Sequence, residues 1–127
     1  MKYTTIKEHH LYNKTFQRGK RYSGRLVSVF VLRDLAAKRL MRENPEKKYY
    51  NRFGVAVTKR VGGAVQRNRV KRILRAAYRA LESKLKTGFL VVVSPREGIL
   101  AAKSTQVEAE LRQGFEKLSM FDTNTER

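Results

Sequence analysis

The chain has 127 residues, of which 29 are Lys or Arg and 11 are Asp or Glu, for a formal net charge of +18. That length suits one domain with a single core burying roughly two-thirds of its unfolded surface, and the charge calls for an anionic partner, nucleic acid or an anionic membrane, without fixing a fold. The absence of cysteine excludes a disulfide framework, a thiolate metal site and a Cys nucleophile and is compatible with a reducing cytosol, no apolar run approaches the roughly eighteen residues of a membrane-spanning helix, and the first sixteen residues lack the apolar core of a secretory signal.

In chain order, residues 6–18 place Ile6, Leu11, Tyr12 and Phe16 at approximately helical spacing and end at the breaker Gly19, which predicts a short helix over one edge of a sheet. On periodicity alone Tyr12 and Phe16 read as a core stripe. His9 and His10 are adjacent, so on a helix they diverge by about a hundred degrees and share no metal without a third ligand. Residues 25–32 predict a strand with Val27, Val29 and Val31 on one face and Leu26, Ser28, Phe30 and Leu32 on the other. Asp34 can cap a helix through Leu35, Leu40 and Met41 that stops before Pro45, or the segment is a long connection. Lys47, Lys48, Tyr49, Tyr50 and Arg52 combine basic and aromatic side chains, a pairing that can stack on bases and meet phosphates.

Residues 52–58 predict a second strand whose Gly54, Ala56 and Thr58 face is unusually small. Either a helix packs closely there, or a shallow surface is left for an extended ligand strand. Gly62 and Gly63 permit a tight turn into a helix from about Val65 to Lys86, ended near Gly88. On a helical wheel Val70, Ile73, Leu74, Ala77 and Leu81 share one side, and Asn68, Lys71, Arg72, Arg75 and Arg79 the other. Residues 89–93, FLVVV, suit a strand buried on both faces, ended by Pro95. Thr105 and Glu108 form a candidate capping box for a last helix with Val107, Leu111, Phe115 and Leu118 inward. From Met120 the tail is expected to be loose, so residues 1–127 read as one domain with about 120–127 as an appendage. With room for one more short strand, the order gives an α+β sandwich of helices against a small sheet.

Charged residues opposite an apolar stripe are usually a solvated face. Here the sign argues otherwise: from Lys47 to Leu81 there are eleven Lys and Arg and no Asp or Glu. Ordinary solvated helices mix signs to gain i, i+4 pairs, whereas this one accepts self-repulsion. Guanidinium forks match phosphate oxygens two at a time, which points to a polyanion and most naturally to RNA. No converging carboxylates, positioned histidine, P-loop or G-x-S-x-G elbow is apparent, so no catalytic or metal-ligating residue is assigned.

One block carries a family resemblance: Lys59, Arg60, Gly62, Gly63, Ala64, Val65, then Arg67, Asn68, Arg69, then Lys71 and Arg72. With Ile6, Tyr12, Phe16 and Gly19 upstream and the strand from Phe89 to Val93 downstream, the chain resembles the protein subunits of bacterial ribonuclease P over nearly its whole length. The resemblance implies a ferredoxin-like, ribosomal-protein-S5-like α+β sandwich, a small mixed sheet packed with helices, with a left-handed βαβ crossover, against the usual hand. It implies two partners, the catalytic RNA subunit and precursor tRNA, with no membrane and no protein partner required, in the cytoplasm. The complex would be an endoribonuclease that removes the 5′ leader by magnesium-assisted hydrolysis, with Mg2+ bound mainly by the RNA and none held tightly by the protein. By position, Lys59, Arg60, Arg67, Asn68, Arg69, Lys71, Arg72 and Arg75 would bind RNA, and Tyr12, Phe16 and Phe30 would line a leader cleft. Tyr12 stands where the family often has Phe, which keeps a stacking surface and adds a hydroxyl. The rival reading is a structural ribosomal RNA-binding protein; a DNA-binding regulator and an autonomous nuclease rank lower.

Overall fold

The structure is a computed structural model that describes residues 4–36, 39, 42, 43 and 51–121. Its elements are β1 (Thr4–Thr5), α1 (His9–Arg18), β2 (Lys20–Ser23), β3 (Val27–Arg33), β4 (Arg52–Val55), α2 (Ala64–Leu81), β5 (Phe89–Pro95) and α3 (Ser104–Lys117), with short 3-10 turns at Lys59–Val61, Glu82–Lys84 and Glu97–Ala101. The five strands form one mixed sheet in the order β1-β4-β5-β3-β2. β4 runs parallel to both β1 and β5, while β3 pairs antiparallel with β5 and β2. Two short strands, β1 and β2, thus stand where one was expected.

The strands sort their side chains as period-two alternation demands. Val27, Val29, Val31, Phe53, Val91 and Val93 bury one sheet face against Val70, Leu74, Tyr78 and Leu81 of α2 and Val107, Leu111 and Phe115 of α3. Phe30, Leu90 and Val92 bury the other, with Ile6, against Leu11 and Tyr12 of α1. The result is three layers, with β5 covered on both sides, as its unbroken apolar run requires. Helix α1 therefore covers a face of β3 and β5 rather than an edge; its stripe is long enough to lie across two strands. Within the thicker layer the Phe53 ring stacks on Tyr78 at 4.0 Å between centroids, an apolar contact worth about 1 kcal/mol beyond burial.

Polar residues fix the strand ends. Buried Asn51 donates from Nδ2 to the Lys86 carbonyl at 2.9 Å and accepts the Phe89 N–H on Oδ1 at 2.9 Å, so one amide joins the start of β4 to the start of β5. Arg52 grips buried Asp34 with two bonds, Nε to Oδ2 at 2.7 Å and Nη2 to Oδ1 at 2.9 Å, and reaches Glu8 at 3.2 Å. This forked pair ties the end of β3 to β4 and to the approach of α1. Asp34 also accepts the Ala36 N–H, so it does cap the turn that follows, and Arg39, Arg42 and Glu43 are helical. The basic-aromatic run Lys47 to Tyr50 lies outside the described residues.

Several boundaries differ from the sequence reading. The central helix ends at Leu81, short of Lys86, and passes into the 3-10 turn Glu82–Lys84, and β4 stops at Val55 rather than Thr58. The last helix starts at Ser104, and its capping acceptor is Gln106 Oε1, which takes the Lys103 N–H at 2.8 Å; Thr105 and Glu108 play no such part. Nor does the chain loosen at Met120. That side chain is buried, its carbonyl accepts the Lys86 N–H, and Phe121 bridges Leu85.

Candidate nucleic-acid interface

The cleft is built by α1 lying over β3, β4 and β5. Tyr12 sits so directly on Gly54 that a Cβ there would collide with the phenol ring and hydroxyl, which explains the small face of β4: a helix packs closely on it. Desolvation raises the Tyr12 pKa above its ordinary value of 10.0, and the positive charge of Arg75 pulls partly against that shift. The charge of an α2 arginine is thus felt at the tyrosine of α1. Four residues along α1, Phe16 meets Phe30 edge-on at 4.8 Å, and the Arg21 guanidinium lies 5.9 Å from the Phe30 ring. Phe16 remains 38% exposed whereas Phe30 is 9% exposed, so Phe16 offers the aromatic surface and Phe30 supports it from beneath.

The basic residues of α2 form an outward rank: Arg72 and Arg79 point most directly away from the buried stripe, with Asn68 and Arg75 to one side of them, Arg69 to the other, and Arg67 and Lys71 nearer the core. Arg67 and Lys71 are half-buried at the rim, while Asn68, Arg69, Arg72, Arg75 and Arg79 are exposed. Val65, 80% exposed, stands among the outward rank. Lys59 and Arg60 are exposed on the 3-10 turn that leads into α2, where Gly62 takes φ 146°, a value only glycine adopts without strain. Among the described residues none of these cations has an ion pair; the ion pairs there belong to Arg39 and Arg52. Eight sequence-assigned RNA-binding residues thus lie on one helix and its entry turn, free to meet an external anion.

Three further arginines join them only through the fold. Arg21 crosses onto Phe30 from β2. Arg25 and Arg96 converge with Arg60 around a hollow of about 1050 Å³ at the carboxyl ends of β4 and β5. They are far apart in sequence, and no local pattern distinguishes them from ordinary surface arginines; only the strand order brings them together. The Arg25 end is held by Glu110, whose carboxylate accepts the backbone N–H groups of Arg25, Leu26 and Val27 at 3.0, 2.6 and 2.7 Å.

Among the described residues, no group of three or more His, Cys, Asp or Glu side chains stands close enough to hold a metal ion. No helix among the described residues is long and apolar enough to cross a membrane.

Comparison with known proteins agrees with this geometry. The family model described as Ribonuclease P matches residues 1–119. The ribonuclease P protein component of Clostridium acetobutylicum is 28% identical over 94% of this chain and 92% of its own length, and that of Syntrophomonas wolfei is 30% identical over 91% and 87%. Among solved structures, the RNase P protein of Staphylococcus aureus superposes with a TM-score of 0.74 at 20% identity, covering 96% of this chain and 99% of that one. The RNase P protein of Thermotoga maritima gives 0.69 at 21% identity, covering 86% and 92%. The small α+β fold is shared by all of them, and the chain belongs to the ribonuclease P protein family.

Proposed function

We propose that this chain binds the catalytic RNA of ribonuclease P through α2 and holds the 5′ leader of precursor tRNA in the cleft between α1 and the sheet. The holoenzyme, acting in the cytoplasm, would then remove the leader to give the mature tRNA 5′ end. The observation that carries the reading is the presence of two surfaces on one small fold: a rank of α2 cations with no ion pair among the described residues, and a hollow lined by Tyr12, Phe16 and Phe30. A folded polyanion on the outward rank and a single strand in the cleft would be held by the same protein.

The chain's contribution is electrostatic and positional. Cations between two RNAs lower their mutual repulsion, and each neutralised phosphate releases bound counterions. Phe16 and Tyr12 offer stacking faces that tolerate any base, which suits leaders of varied sequence. Holding the leader in place converts part of the entropy of encounter into rate. Bond cleavage itself is assigned to the catalytic RNA and its magnesium.

Reconstitution tests this. Added to the catalytic RNA at low magnesium, the protein should restore leader removal from precursor tRNA. A structural ribosomal RNA-binding protein would leave the rate unchanged, and cleavage by the protein without RNA would move the active site onto the chain.

A further inference from the structure

At the other end of the sheet from the Arg25, Arg60 and Arg96 hollow, four cations from four segments surround a smaller hollow of about 300 Å³: Arg18 at the end of α1, Lys20 of β2, Arg33 at the end of β3 and Lys86 before β5. All four are exposed, and none has an ion pair among the described residues. The floor is apolar, formed in part by Phe89 and Leu118. The nearest buried carboxylate in sequence, Asp34, is already gripped by Arg52. Such convergence is costly without an anion, because like charges repel and no ion pair among the described residues neutralises them.

The hollow opens at the end of the sheet, where Val31, Phe89, Leu118 and Met120 belong to the α3 side and Arg18 and Leu32 border the cleft. Leu32, which forms part of its wall, is the next residue after Phe30 on the α1 side of β3, one alternation or about 7 Å further along the strand. Arg18 follows Phe16 by two residues on α1. A strand lying over Phe16 therefore meets this cluster as it passes the end of α1.

We propose that this hollow is a second contact for RNA phosphates, taken by the part of the leader that extends beyond the aromatic cleft. An apolar floor ringed by cations suits a nucleotide, with its base against Phe89 and its phosphates toward the rim. The inference rests on the cleft holding single-stranded RNA. A purely structural alternative exists, since cations near the carboxyl end of α3 also complement its dipole.

The test uses the holoenzyme with the Arg33→Glu/Lys86→Glu protein and precursor tRNAs carrying short or long leaders. The wild type should gain affinity as the leader lengthens past the cleft, and the variant should lose that gain while binding short-leader precursor as before. Its salt dependence for long-leader precursor should be shallower by about 1.4, two phosphates at about 0.7 each. A loss seen instead in affinity for the catalytic RNA alone overturns the leader as the occupant. Should the charge-reversed protein melt early, Arg33→Gln/Lys86→Gln gives the same comparison. A folded variant that matches the wild type with both RNAs overturns the site. Failure of the wild type to support any leader removal would instead sink the functional reading, so the two failures are distinguishable.

Discussion

Asn51 and Gly54 show how single residues in β4 act on the site. Asn51 satisfies a donor and an acceptor of the strand beside it, so Asn51→Ala strands both the Phe89 N–H and the Lys86 carbonyl away from water. The expected cost is about 2–3 kcal/mol, read as a lower urea midpoint. Gly54→Ala acts differently. Its new Cβ meets the Tyr12 ring, so α1 must shift; leader affinity should fall more than affinity for the catalytic RNA, measured by separate titrations. The raised pKa of Tyr12 keeps its phenol neutral through the physiological range. A raised folded-state pKa means that the associated stability is whole below about pH 10 and is lost only as pH climbs through the shifted value. Tyr12→Phe should therefore leave stability unchanged near pH 7 and lessen its loss at strongly alkaline pH. In sequence, Tyr12 and Phe16 were visible from their spacing and Gly54 from its small face. That Tyr12 itself fills the space above Gly54 was not, because the contact joins residues forty-two apart in the chain.

At the scale of elements, α3 anchors the rest through its two ends and one side chain. Its carboxyl end is a closed turn in which Met120 N–H bonds the Phe115 carbonyl and Ser119 N–H the Glu116 carbonyl, with Ser119 at φ 57°. A serine pays for this left-handed conformation where glycine would not, so Ser119→Gly should stabilise the protein by about 0.5–1 kcal/mol in thermal unfolding. Glu110 stitches α3 to the turn before β3 through three backbone donors. Glu110→Gln keeps the size but loses the charge and one acceptor, and should destabilise by about 2 kcal/mol while displacing Arg25 from its hollow. Apolar period made the helices and the central strand legible. Short strands escaped it: β1 has two residues and β2, KRYS, carries no alternation of its own, so both exist through pairing with longer neighbours. The cap of α3 was misplaced because Thr105 with Glu108 and Lys103 with Gln106 share the same spacing, and local pattern could not choose between them.

Across the molecule, two buried apolar layers lie on either side of the sheet, and a basic surface runs from Lys59 and Arg60 along α2. Composition made the net charge plain, and the run without acids marked which helix carries it. What the sequence hid was the placement of that helix relative to α1, since it depends on β4 being adjacent to β5 and on α1 crossing the opposite face. The converging arginines at both ends of the sheet were hidden for the same reason.

The central claim is that α2 is a docking surface for folded RNA. Its most direct test is the binding of ribonuclease P RNA by wild type and by Arg67→Glu/Arg69→Glu protein over a salt titration. With about six phosphates neutralised, log affinity of the wild type should fall against log salt with a slope of about −4 to −5, and the variant should bind more weakly with a shallower slope at an unchanged melting temperature. A wild-type slope near −1, or a folded variant that binds as tightly as the wild type, would contradict it.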